Sequence, residues 1–196
     1  MNNAYRLRYF SPFLDKIFRP IKSNGVKVGM EKNKNLQLQV NLDDGRLTFK
    51  GKDWVLIQPA FFQALNEGME QTFGSGAGII CMVAGKNAGK TLVKLNGQTQ
   101  LNTEKTVLNF LNKLFTEMGW GKTILKKYSK SRKEAIVRIK NSLMVRGIKS
   151  STPKCYLIAG CLAGIFTMLF GEEVNCIETS CGARGDPYCE FVIRGK

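Results

Sequence analysis

PKCYLIAGCLAGIFTMLFGEEVNCIETSCGARGDPYCEF, residues 153 to 191, is the stretch on which the reading of this chain turns. From Cys155 to Phe170 it carries no charge and is rich in Leu, Ala, Met and Phe, so it is predicted to be a helix that Gly171 stops. Pro153 sits ahead of that helix, where a missing N–H costs nothing. Glu173 to Thr179 and Tyr188 to Arg194 read as short strands, and Ser-Cys-Gly-Ala-Arg-Gly-Asp-Pro between them is a turn by composition. If the strands pair as an antiparallel hairpin, Glu178 and Cys181 leave the first where Cys189 enters the second. With Cys155 arriving from the helix, the four side chains are spaced as one metal site.

Zinc takes thiolate sulfur and carboxylate oxygen at roughly 2.0 to 2.3 Å, and a closed set of four such ligands marks a structural site. The chain has no histidine, so a site of this kind must be built from sulfur and oxygen. Three thiolates and a carboxylate around a dication leave excess negative charge, which calls for nearby donors. The N–H groups of Gly182 and Gly185, with Arg184 or Lys154, are the candidates. The plainer alternative is that these cysteines are small buried hydrophobes and Glu178 a surface charge. Cys161 lies about 240° around the helix from Cys155 and faces elsewhere. Cys81 sits in a distant apolar run, and Cys176 shares a strand face with Glu178, which makes it the substitute ligand if one of the four is wrong.

The order Cys155-Tyr156, Gly160, Gly164, Gly171, Glu178, Cys181, then Gly185-Asp186 and Cys189, resembles the 4-vinyl reductase domain family from Thr152 to the C-terminus. Upstream the likeness is weaker, over Met69 to Lys94. The resemblance implies an α/β (α+β) domain of mixed helices and antiparallel sheet. That fold is shared with TRAPP vesicle-tethering subunits and with sensor domains of aromatic-responsive bacterial transcription regulators. It further implies a small hydrophobic ligand in an internal pocket, a homodimer, and zinc held by three Cys and one Glu, here Cys155, Glu178, Cys181 and Cys189. Aromatic-responsive members hold a phenol with a histidine, which this chain lacks, so the resemblance does not extend to a phenol effector. Phe110, Trp120, Met144 and Tyr156 are the candidate pocket residues, each also readable as plain core.

Beyond that stretch, 196 residues with 43% hydrophobic and 23% charged content suffice for one globular domain with a real core. The division expected is a basic N-terminal segment over 1–30 and a single ligand-binding domain over 31–196. Arg6, Arg8, Lys16 and Arg19 interrupt the aromatics of the N-terminus, which therefore does not read as a signal peptide. The expected location is the cytoplasm, where six cysteines stay reduced and metal ligation is favoured over disulfides.

Leu36 to Leu42 and Leu47 to Lys50 alternate around Asp43-Asp44-Gly45-Arg46 and predict a hairpin, with strand character resumed over Trp54 to Gln58. Pro59 opens a helix whose Phe61, Phe62, Leu65 and Met69 are spaced as core. Ala84-Gly-Lys-Asn-Ala-Gly-Lys-Thr91 imitates a phosphate-binding loop. Ala84 replaces the first glycine, however, and no apolar strand ending in a metal-binding Asp follows. The stretch reads instead as a helix whose small face, Gly78, Ala84, Gly85, Ala88 and Gly89, lets another helix approach. Thr103 to Met118 is an amphipathic helix capped by Asn102 or Thr103, with Val107, Leu108, Phe110, Leu111, Leu114 and Phe115 on its apolar face.

Thr123 to Ser131 and Glu134 to Val145 read as a strand pair carrying the densest part of a net charge of +15: Lys126, Lys127, Lys130, Arg132, Lys133, Arg138 and Lys140. That surface defines the alternative function, an assembly or nucleic-acid-binding module. A charge run is more often a solvated face, and no nucleic-acid-binding motif accompanies this one. The helix from Cys155, with Gly160-x3-Gly164, also approaches the length of a short membrane span. A ligand at its first turn and Glu172-Glu173 after Gly171 argue for a core helix, so no membrane span is expected. No nicotinamide or flavin motif and no general-acid constellation is found, so the expected mechanism is binding rather than reaction, exerted through a regulatory partner protein.

Overall fold

The turn at Asp43-Asp44-Gly45 behaves as its composition demands: Gly45 takes φ +62°, and antiparallel strands leave it on either side. The computed structural model describes residues 38–41, 43–49, 52–96 and 101–196. The expected N-terminal segment and its boundary at 30/31 lie outside the described residues. The chain divides into two units, Met1–Ile57 and Gln58–Lys196. In the first, β1 (Leu38–Asn41), β2 (Arg46–Phe49) and β3 (Lys52–Trp54) form an antiparallel meander. Strand β3 ends at Trp54, where the sequence has it begin, because Trp54 pairs with Leu47 and β2 starts one residue earlier.

The second unit holds four helices and an antiparallel sheet, the α+β architecture expected. Helix α1 (Pro59–Phe73) starts at its proline as predicted. It is not a core helix, however, for it buries no residue, and Phe61, Leu65 and Phe73 stay 57%, 47% and 56% exposed. The cause is one-sided packing, in which Phe62 touches Trp120 at 5.5 Å between ring centroids while the apolar residues on the other side remain open.

Helix α2 (Gly76–Asn96) contains the whole of Ala84–Thr91. Its N–H groups are committed to the helix and leave no loop to wrap a phosphate. Lys86 and Lys90 instead pair with Glu173, Lys90 at 3.0 Å, and hold its carboxyl down to about 2. The small face is Ala77, Cys81, Gly85 and Gly89, spaced four apart, with Gly78 beside it against the Tyr156 ring. Ala84 and Ala88, assigned to that face from sequence, are exposed because they lie one residue, about 100°, away from it.

Helix α3 (Glu104–Leu111) is capped by Thr103, whose hydroxyl accepts the Thr106 N–H at 3.2 Å while Thr106 answers from its own hydroxyl. It is shorter than the sequence suggests because Asn112–Thr116 widens into a π turn, with Glu117 N–H reaching Asn112 O and Trp120 N–H reaching Phe115 O. β4 (Lys122–Ser129) and β5 (Glu134–Lys140) follow. β5 ends before the predicted Val145: Asn141 turns to φ +54° and Leu143–Val145 forms a 3-10 turn.

Helix α4 (Tyr156–Phe170) is buried on nearly every side and stops at Gly171 with φ +76°. β6 (Val174–Ser180) and β7 (Cys189–Gly195) make the terminal hairpin, and the sheet order is β4-β5-β7-β6. α4 lies between this sheet and α2. A Cβ added to Gly160 or Gly164 would collide with the carbonyl oxygens of Met82 or Lys86, and one on Gly85 or Gly89 with those of Leu157 or Cys161. The four glycines bring the two backbones into contact. Among the described residues no helix is long and apolar enough to cross a membrane.

Candidate metal centre

Cys155 ends the loop that enters α4, and its backbone N–H donates to Glu178 Oε2 at 2.9 Å. Glu178 faces inward because it continues the alternation of Val174 and Cys176 along β6, opposite the buried Phe191. A register shift after Glu178 then brings the chain round to Cys181, and Cys189 opens β7 opposite Ile139. One ligand atom from each of Cys155, Glu178, Cys181 and Cys189 lies within 4.8 Å of the others, so the set can hold a metal ion. The three cysteines are 0%, 0% and 1% exposed. Cys155 Sγ and Cys189 Sγ are 3.5 Å apart. That is far beyond a disulfide of about 2.0 Å and near the ~3.8 Å edge of a tetrahedron with ~2.3 Å bonds. All six cysteines are free thiols.

The surrounding groups turn donors toward the sulfurs. Gly182 N–H points at Cys189 Sγ at 3.3 Å, as the sequence suggests, and Ser142 Oγ lies 3.7 Å from Cys155 Sγ. Lys154 contributes its backbone N–H to Cys181, while its ammonium pairs with Glu70 at 2.6 Å. Arg184 binds Asp186 and Thr179 O, and Gly185 N–H goes to Gly182 O, so neither addresses the sulfurs directly. Asp186 accepts the Cys181 N–H at 2.7 Å and so fixes the knuckle. Ser142 has no signal in the sequence, because only folding brings the end of β5 beside the start of α4.

The cluster is electrostatically uneven. Contacts from Cys155 and Cys189 hold the Cys181 thiol well below its ordinary value. Cys181 and Cys189 beside it, together with burial, push Cys155 far up. At Cys189 the contact with Cys155 acts downward, but Cys181 and burial override it and raise the thiol to about 12. Burial, then the Cys181 sulfur, raises Glu178 to about 7. Glu178 Oε1 is buried and receives no hydrogen bond. Cys176 stands outside the set, and its thiol is raised by burial. Burial likewise raises Cys161, to about 12.

The candidate pocket residues scatter. Phe110 and Met144 belong to the closed core, Trp120 rests against Phe62 and Phe115, and Tyr156 covers Gly78. A cleft of about 500 Å³ next to the cluster is lined by other residues, among them Ser142, Arg146, Asp186, Tyr188 and Cys189. The basic strands are partly neutralised: Lys127 pairs with Glu134, and Arg138 with Glu190 at 2.6 Å while covering the Tyr188 ring.

Residues 135–195, which hold all four ligands, match the model of the 4-vinyl reductase domain family. This part of the chain belongs to that family, as its motif from Thr152 onward implies. An uncharacterized protein of Methanocaldococcus jannaschii is 26% identical over 140 residues, 71% of this chain and 76% of its own length. Among solved structures, the phenol-responsive sensory domain of the transcription activator PoxR, with phenol, superposes with TM-score 0.68 at 18% identity, covering 81% of this chain and 84% of that one. A trafficking protein particle complex subunit 3 from Naegleria fowleri, covalently bound to palmitic acid, gives 0.56 at 14% identity, over 70% and 92%. At such identities the likeness is one of fold.

Proposed function

We propose that this chain is a zinc-stabilised domain that binds a small hydrophobic molecule and reports its occupancy to a regulatory partner protein, as a homodimer in the cytoplasm. The observation that carries the reading is the convergence of Cys155, Glu178, Cys181 and Cys189 within 4.8 Å, in the fold of a phenol-responsive sensory domain. The donor set suits zinc: three buried sulfurs, two of them at a tetrahedral spacing, and Glu178 Oε1 with no hydrogen-bond partner. The sulfur-facing N–H groups of Gly182 and Lys154 suit the negative charge such a set keeps. The ion would tie the start of α4 to the terminal hairpin, a structural task rather than a reaction. A sensory domain liganded by phenol and a trafficking subunit carrying palmitic acid are precedents for an apolar guest in this fold.

Metal analysis of purified protein should find about one zinc per chain. Cys189→Ser should lose it and unfold at much lower temperature, since structural zinc supplies on the order of 10 kcal/mol to folding. Metal-free wild-type protein that melts like the variant would sink the zinc reading. Binding of apolar molecules is read separately as a rise in melting temperature on ligand addition. The alternative of a charge-driven nucleic-acid binder predicts instead a partner lost steeply as salt rises.

A further inference from the structure

Strand β4 aims its polar side chains against the expected alternation. Thr123 and Leu125 face inward, opposite the fully buried Ile139 and Val137. A strict period of two would turn Lys127 inward next and leave Tyr128 outside. The register slips between Leu125 and Lys127, and Tyr128 arrives opposite the buried Ala135 on the inner face. There its ring lies nearly parallel to Phe170 at 6.0 Å and tilted against Phe166 at 6.4 Å.

Neither inward hydroxyl has a hydrogen-bond partner among the described residues. Tyr128 OH and Thr123 Oγ1 are both buried without one, and Thr123 as a whole is 5% exposed. Burying a hydroxyl unpaired is unfavourable, whereas Phe and Val would fill the same volumes without that penalty. An unsatisfied buried polar group calls for an explanation, and a bulge that re-aims a side chain is a recurrent companion of binding sites.

We infer that the inner face of β4 is the polar wall of the ligand site. The molecule it takes is then an amphiphile whose hydroxyl, carbonyl or carboxyl group is hydrogen-bonded by Tyr128 or Thr123, with its apolar body toward α4. This rests on the ligand-binding reading above and narrows it from any apolar molecule to one with a polar head. It also offers this chain, which has no histidine, another way to hold such a head.

The test compares two probes of similar shape, benzyl alcohol and ethylbenzene, by calorimetric titration of the wild type and of the Tyr128→Phe, Thr123→Val double variant. The variant should bind benzyl alcohol about tenfold more weakly, the effect of one lost hydrogen bond, and ethylbenzene unchanged. Its melting temperature without ligand should equal or exceed that of the wild type. An unchanged ratio of the two affinities would overturn the inference while leaving ligand binding intact. So would a lower melting temperature of the free variant, which would mean that the hydroxyls are already satisfied inside the protein. Failure of both probes to bind the wild type would remove the ligand-binding reading and the inference together. Single Tyr128→Phe and Thr123→Val variants then assign the contact.

Discussion

Glu178 divides its two oxygens between two tasks: Oε2 takes the Cys155 N–H at the mouth of α4, and Oε1 is left for the cluster. Without metal the cluster keeps its negative charge on Cys181, while Cys155 and Cys189 are held as thiols by that neighbour and by burial. Metal binding must therefore expel protons. The sign follows directly, because groups whose affinity for protons is raised in the metal-free fold favour the metal-free form as pH falls. Competition against a chelator should show zinc held more weakly at pH 6 than at pH 8, by roughly tenfold per pH unit for each displaced proton. A pH-independent affinity would mean that the thiols are not the ligands. These four residues were legible in the sequence because they stand within one short stretch and on predictable faces. Ser142 and the backbone donor of Lys154 were not, since their approach depends on how loops distant in sequence meet.

Among the helices, the α2–α4 contact is made by glycine. Gly164→Ala would push a methyl group into the Lys86 carbonyl and should destabilise the protein by about 1–3 kcal/mol, as overpacking does. Gly68→Ala, on α1 with nothing within 4 Å of the added atom, should have the opposite sign and stabilise by about 0.5–1 kcal/mol. Urea unfolding of both variants checks the pair, and equal shifts would mean that the helices can part. Sequence pattern located the small residues of α2 but not their face, because a helix can rotate by one residue at little local cost and only the partner decides which ridge is buried. The same limit applies to α1, whose apolar spacing is real yet leaves Phe61, Leu65 and Phe73 largely exposed.

For the molecule as a whole, the buried cluster runs from Val93 to Ile193 and all four candidate ligands lie in Gln58–Lys196. That fragment expressed alone should melt cooperatively and carry the same metal per chain as the full protein. A fragment that stays unfolded with metal supplied would show that the first unit is needed for the fold. Local signals were enough to specify the uncharged run that Gly171 stops, the turn-bounded strands of the terminal hairpin, and four donors brought to one end by strand alternation. Each follows from backbone preference and side-chain period, which act over a few residues. Packing had to settle which glycine ridge α4 meets, where β5 gives way to the 3-10 turn, and that β4 slips register and turns Tyr128 inward. Those outcomes depend on surfaces from distant parts of the chain competing for the same core volume, and no local pattern records that competition.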